Sequence, residues 1–350
     1  MEQTFDLLIA ALLPGFGPRK YQDLVGRVSL AEGLARPGDH ADLFARPALD
    51  QLRSGQARRR AEHELALARE KGTRIVGLGE VDYPERLARI FDPPLVLYVR
   101  GSLVAGDGEQ SLAIVGSRAV TPQSAVLART LARDLAQIGL TVVSGLARGA
   151  DTAAHLGALE AKGRTVAVLG SGLDRVYPPE NATLADAVAR DGAVVSEFPF
   201  GTHPEAGNFP RRNRILAGWG RAVVVVEAGA KSGALITARL ALDEGREVMA
   251  VPGHPSQPGA QGTNQLIRDG AVLVRNAADV AAELGLSLLA AQAPGPADGL
   301  LGHLHSQEPR GLDEIRERSG LPVPDLLHQL SELEIGEKVR RLPGTLFIRI

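Results

Sequence analysis

No cysteine occurs among the 350 residues, so disulfides, thiolate zinc sites and cysteine nucleophiles are all excluded. Long hydrophobic runs are missing too: none approaches the ~20 apolar residues that a bilayer span requires. The opening Met1-Glu2-Gln3-Thr4-Phe5-Asp6 lacks the basic start and apolar stretch of a signal peptide, and a soluble, cytoplasmic protein is expected. The 8 histidines are scattered without ligand spacing, which leaves a metal site without support. Neither sign of charge prevails. With 39 Lys and Arg against 41 Asp and Glu, the net charge is −2 and the pI about 6.5. That balance argues mildly against a protein that coats nucleic acid nonspecifically, although a phosphate site needs only a local cluster of arginines.

Hydrophobic residues make up 44% of the chain, ample for a buried core, and at ~150 residues per domain two or three domains are expected. Residues 1–75 have helical spacing, as in Leu7, Leu8, Ala11 and Leu12. The region 76–287 alternates short apolar runs with helical stretches. Candidate strands are Leu112–Val115, Thr141–Val143, Val166–Leu169, Ala193–Ser196, Ala222–Val226, Glu247–Ala250 and Val272–Leu273; Ser124–Ile138 and Ala150–Ala161 read as helices between them. Near-continuous apolar strands separated by helices mean a mostly parallel sheet covered on both faces, an α/β Rossmann-like doubly wound domain. Residues 288–299, rich in Ala, Pro and Gly, read as a linker, and 300–350 as a compact tail.

Ligands of such sheets sit beyond the carboxyl ends of the strands, which directs attention to five loops. Gly116-Ser117-Arg118 combines a glycine, a hydroxyl and a cation ahead of Thr121-Pro122, a cap and first-turn proline whose helix would favour an anion. Ser144-Gly145-Leu146-Ala147-Arg148-Gly149 repeats the combination, with Asp151 and His155 one turn apart; a histidine there is read as a packing group before a catalyst. Gly170-Ser171-Gly172 leads to Arg175 and Tyr177-Pro178. The fourth loop carries Phe198, Phe200 and Phe209 and runs into Arg211-Arg212-Asn213-Arg214. Arginines for phosphates and aromatics for bases are the recipe for single-strand binding; the alternative is that the phenylalanines pin a long loop, as at least one is expected to. The fifth supplies Lys231, Ser232 and Gly233 at another helix start. Five such loops at one sheet edge describe an arginine-lined pocket suited to several phosphates.

In these residues the chain resembles the DprA/Smf family. The matching pieces include Gly116-Ser117-Arg118, Ser144-Gly145-Leu146-Ala147-Arg148-Gly149-Ala150-Asp151, Gly170-Ser171-Gly172 with Tyr177-Pro178, Phe209-Pro210-Arg211-Arg212-Asn213-Arg214 and Lys231-Ser232-Gly233, in family order over roughly 200 residues. The resemblance implies a homodimer that binds and protects single-stranded DNA and helps load RecA in natural transformation or repair. It implies Arg118 as the main phosphate contact, backed by Gly116, Ser117, Arg148, Arg212, Arg214 and Lys231. One departure stands out: where the family often has a lysine after Tyr177-Pro178, this chain reads Pro179-Glu180-Asn181.

The flanks read as accessory modules. Leu13-Pro14-Gly15-Phe16-Gly17-Pro18-Arg19-Lys20 looks like the turn of a helix-hairpin-helix or SAM-like domain, whose amides can touch a phosphate. The tail looks like a winged helix, with helices over Leu300–Ser306, Gly311–Arg318 and Pro324–Leu333 and a hairpin around Pro343-Gly344. A third helix of that fold often reads duplex DNA, but Asp325 and Glu332, with Glu334 next and no Lys or Arg, favour an interaction or stabilising role. Two enzymatic alternatives are weaker. The Glu227–Thr237 loop lacks the double glycine and closing glutamate of the phosphoribohydrolases that the family's sheet resembles, so acid–base chemistry has no obvious agent. Gly116-Ser117-Arg118 lacks dinucleotide-binding spacing. Binding without catalysis, cofactor or metal is the expectation.

Overall fold

The computed structural model describes residues 2–286, 299–304, 309–336, 338–342 and 344–349. Residues up to Leu286 form one compact unit and the remainder a second. The expected linker, apart from Gly299, lies outside the described residues.

The first unit opens with five helices: α1 (Glu2–Leu12), α2 (Pro18–Val25), α3 (Leu30–Ala35), α4 (Arg46–Arg53) and α5 (Gln56–Glu70). Between α1 and α2 the chain turns at Gly15, in the left-handed region at φ +69, where glycine carries no steric penalty. Phe16 is buried beside it, stacked on Phe44 at 4.9 Å. Then come β1 (Arg74–Gly77), α6 (Glu85–Ala88), β2 (Val96–Gly101), α7 (Gly106–Glu109) and β3 (Ser111–Val115). The alternating part continues through α8 (Pro122–Gln137), β4 (Thr141–Ser144), α9 (Ala150–Glu160), β5 (Thr165–Val168), α10 (Ala182–Asp191) and β6 (Ala193–Ser196). It ends with α11 (Asn208–Trp219), β7 (Ala222–Val225), α12 (Gly233–Asp243), β8 (Glu247–Ala250), α13 (Gln261–Arg268), β9 (Val272–Leu273) and α14 (Ala277–Glu283).

These strands make one sheet in the order β1-β2-β6-β5-β4-β3-β7-β8-β9. From β6 to β9 every neighbour is parallel, as the unbroken apolar runs require. All seven expected strands are present. Two strands go beyond the expectation: β1 and β2 pair antiparallel with each other, and β2 antiparallel with β6. Alternation along a strand divides the core: Val166 and Val168 join Ile215, Leu216 and Trp219 of α11 on one face, while Ala167 joins Leu7, Leu8 and Val188 on the other. That second cluster also takes in Val96 and Tyr98 of β2, so the helical region packs continuously into the sheet rather than standing apart at residue 75. The chain order reverses at β3, between β4 and β7, which is where a doubly wound sheet opens its crevice.

The second unit has the winged-helix elements: α15 (Leu312–Ser319), α16 (Val323–Ile335), and β10 (Arg310–Gly311), β11 (Val339–Leu342) and β12 (Leu346–Arg349) in the order β10-β12-β11. Leu300, Ile315, Leu326, Leu330 and Phe347 form its core. The first helix expected over Leu300–Ser306 is, in its described part, a 3₁₀ turn over Gly299–His303, and the hairpin gains a third strand. Asp325, Glu332 and Glu334 are all exposed on α16.

The helices α8 and α9 touch through Gly157, where a Cβ would collide with the carbonyl oxygen of Arg129. Gly157→Ala is therefore expected to cost about 1–3 kcal/mol by overpacking, read as a lower urea midpoint with an unchanged slope; a midpoint equal to wild type would show that the helices can part freely.

Candidate nucleic-acid interface

The loops after β3 and β4 lie against each other. Ala150 donates its N–H to the Ser117 carbonyl at 3.2 Å, and a Cβ on Gly149 (φ +77) would strike the same oxygen. The loop after β7 closes the third side: the Glu227 carbonyl accepts from the Ser117 N–H at 2.7 Å. Its carboxylate accepts from Thr121, from the backbone N–H at 3.1 Å and from the hydroxyl at 2.6 Å. The amino end of α8, expected to favour an external anion, is thus occupied by the chain's own carboxylate. What the Gly116-Ser117-Arg118 loop offers a ligand is its exposed arginine.

A cavity of about 530 Å³ opens here, lined by Gly116, Arg118, Phe209, Arg212, Asn213 and Ser232 among others. A narrower cleft continues from it past Gly145, Arg148, Gly170 and Tyr177. Arg118 lies over the Phe209 ring at 4.8 Å, and Tyr177 is tilted against that ring at 5.9 Å. Gly170 permits this, since a Cβ there would come within 3.0 Å of the ring. A cation, a half-exposed phenyl ring and a phenol therefore line one wall. Tyr177 belongs to the family-like pieces but is not among the expected site residues. Its place in the wall comes from Phe209, 32 positions later, which sequence spacing does not bring near.

The three arginines that open α11 point three ways, because successive helical residues are turned by about 100°. Arg211 is exposed over the Phe198 ring at 5.0 Å. Arg212 turns inward, only 4% exposed, donating to the Val168 carbonyl beneath Gly145, where a Cβ would collide with its guanidinium. Burial, against the pull of Asp151 and with the push of Arg118, brings its pKa down to about 10, so it still carries its charge at neutral pH. Arg214 faces away from the cavity and is bound by two acids, Asp92 at 3.0 Å and Glu197 at 2.6 Å. This corrects the expectation that Arg214 holds phosphate: its guanidinium is already committed.

Other candidates divide in the same way. Phe198, 4% exposed, pins the loop and offers no face to a base. Ser144 is buried with its hydroxyl on the Ile114 carbonyl at 2.6 Å. Ser232 caps α12 by accepting from the Ala234 N–H, with Gly233 beside it and Asn213 donating to the Gly233 carbonyl at 3.4 Å. Arg148 is paired with Glu180; the departure from the family pattern after Pro178 thus supplies the acid that neutralises a neighbouring cation. Arg175 is exposed near Asp174, and Lys231 is exposed at the rim of the β7 loop. Asp151 is the carboxylate among the cavity-lining residues. Burial raises its pKa against the pull of Arg212, and it accepts from the Ala147 N–H at 3.3 Å, which ties it to the loop. His155 is fully buried, its Nδ1 2.8 Å from the Thr165 hydroxyl. That hydroxyl donates to the Val142 carbonyl, so the ring donates from Nδ1 and is neutral, its pKa pushed down to about 3 by burial and by Arg212. It is a packing group.

Comparison with known proteins bears on this arrangement. A family model described as DNA recombination-mediator protein A matches residues 74–285, and one described as the DprA winged helix domain matches 279–345. The chain is 42% identical to protein Smf of Escherichia coli over 278 residues, covering 75% of this chain and 74% of that protein. Its fold resembles the X-ray structure of DNA processing protein A from Streptococcus pneumoniae, at TM-score 0.65 and 36% identity, covering 79% of this chain and 95% of the other. It also resembles a Helicobacter pylori DNA processing protein A whose structure is described as revealing a single-stranded DNA binding mode. There the TM-score is 0.54 and the identity 31%, covering 60% of this chain and 95% of that one.

Two outcomes follow from the site. Arg214→Ala leaves Glu197 buried beside no cation, and is expected to destabilise the fold by about 3 kcal/mol while cold, folded protein binds its ligand as before; a ligand-binding defect at full stability would return Arg214 to the site. The unfolded chain protonates His155 near pH 6.5 and the native ring does so only near 3. Stability should therefore fall as pH drops through that window, with His155 contributing up to about 1.4 kcal/mol per unit. His155→Gln should flatten the measured stability–pH curve there by one proton; an unchanged slope would mean that the native ring titrates normally.

Proposed function

Because the chain belongs to the DNA recombination-mediator protein A (DprA/Smf) family, we propose that it holds single-stranded DNA across the carboxyl ends of β3, β4 and β7. The observation that carries this reading is the wall on which Arg118, Phe209 and Tyr177 meet, open to solvent at the switch point of the sheet. Arg118 makes no ion pair among the described residues, so a phosphate gains its charge without displacing an acid. Phe209 and Tyr177 present ring area for bases, and base–aromatic stacking contributes about 1–3 kcal/mol per base. Beneath them the buried guanidinium of Arg212, facing Asp151, keeps its charge at neutral pH.

The reading is of binding and not of chemistry. Asp151 is held by the Ala147 amide and lies under the field of Arg212, an anchor for the loop rather than a poised base. The described single-strand binding of the Helicobacter pylori relative supports the choice of ligand. By the family reading the protein works as a homodimer that protects the strand and passes it to RecA in transformation or repair. No helix among the described residues is long and apolar enough to cross a membrane.

Fluorescence anisotropy with an oligothymidine at two salt concentrations tests the reading. Arg118→Ala is expected to weaken binding about tenfold or more and to reduce the salt slope by about one. Equal affinity and slope in the two proteins would place the strand elsewhere.

A further inference from the structure

A second cavity, of about 510 Å³, lies where the hairpin between α1 and α2 meets the sheet region, lined by Arg19, Lys20, Phe91, Arg214, Leu240 and Glu244 among others. Phe91 is 59% exposed, unusual for a phenyl ring. Arg19 lies over it at 4.3 Å, the same pairing of guanidinium and ring that Arg118 makes with Phe209 at 4.8 Å. The Phe91 backbone is fixed as well: its N–H donates to both carboxylate oxygens of Glu244, each at 3.1 Å. The ring is therefore held in place while most of it faces water.

The two cavities share a helix. On α12, Ile236 lines the first and Leu240 lines the second, which Glu244, the carboxyl cap of the helix, lines too. These residues repeat at four-residue spacing and so fall along one face. At 1.5 Å per residue, Ile236 and Glu244 are about 12 Å apart along the axis. Adjacent residues of α11, Asn213 and Arg214, border the first and the second cavity respectively.

We infer that the Arg19–Phe91 pair is a second contact for single-stranded DNA, receiving a base from a strand that leaves the Arg118–Phe209 cleft along the α12 face. The inference rests on the reading of that cleft as the primary site. Charge does not drive the second contact. In the lining, Arg19, Lys20 and Arg214 stand with Asp92 and Glu244, and Arg214 is held further by Glu197 from outside the cavity, so little net charge is left to a phosphate. Its contribution is stacking, which depends little on salt. That separates it from the first contact, where the Arg118 cation is free.

The test measures the full chain on oligothymidines of about 6 and about 16 nucleotides, within the span of known single-strand sites, over a salt series. Phe91→Ala should weaken the long strand about fivefold or more, leave the short strand unchanged and keep the salt slope of wild type. Phe91→Trp should restore long-strand affinity. The inference is overturned if Phe91→Ala binds the long strand like wild type. It is equally overturned if both lengths weaken together with a lowered Tm, since the Arg19–Phe91 pair would then be only a staple between the hairpin and the sheet. Arg118→Ala separates the two readings. It should weaken both lengths, and if it weakens neither, the primary cleft reading fails on its own account, whatever Phe91→Ala does.

Discussion

The guanidinium of Arg212 sits under Gly145, with one N–H on the Val168 carbonyl and Asp151 within reach of its charge. A buried cation is tolerated only where acceptors and compensating charge surround it, and much of the site is arranged to meet that demand. Gly145 leaves the room, and the carboxyl end of β5 supplies the acceptor. Asp151, tethered to Ala147, supplies the countercharge. With Arg212 in place, the amino end of α11 is fixed over the β5 loop. That in turn sets Phe209 beside Gly170 and Tyr177 and brings its ring under Arg118. The exposed binding wall is the outer layer of a structure organised around one inner charge.

Nearly the whole of the parallel sheet was legible in the sequence, because a strand covered on both faces is written as an unbroken apolar run. The sheet margin was not: β1 and β2 are no shorter than the parallel strands, but nothing in Arg74–Gly77 or Val96–Gly101 announces antiparallel pairing. The edge of the sheet where the candidate cavity opens was itself legible, since fold class alone sends ligands to the carboxyl ends of the strands. Which side chains reach the ligand was not. Arg211, Arg212 and Arg214 look equivalent as letters. Their fates depend on Phe198, Val168, Asp92 and Glu197, and Asp92 lies 122 positions from Arg214. Glu227 was likewise invisible as a capping group, because the helix it caps begins more than a hundred residues before it.

Acids decide how much of the chain's arginine is available. Asp92 and Glu197 engage Arg214, and Glu180 engages Arg148, leaving Arg118 as the exposed cation of the cavity lining that has no acid partner among the described residues. A nearly neutral protein thereby presents a small positive feature at one place, in contrast to the broad basic faces of proteins that coat nucleic acid. On the proposed reading, rings offset the scarcity of charge: Phe209 and Tyr177 at the cleft, and Phe91 beside the carboxyl end of α12. Stacking is indifferent to base identity, which suits a mediator that must accept any sequence.

The antiparallel strand β2 has a consequence for synthesis on the ribosome. Its partner on the inner side is β6, Ala193–Ser196, and the core that buries α1 includes Ala185, Val188 and Val194. The apolar face of α1 is therefore covered by segments about 180 residues downstream. At about 5–20 residues per second, the nascent chain waits about 9–36 seconds for that cover. Through that interval the amino-terminal helices depend on one another and on whatever shields nascent chains, and the sheet closes from its middle outward only when β6 arrives.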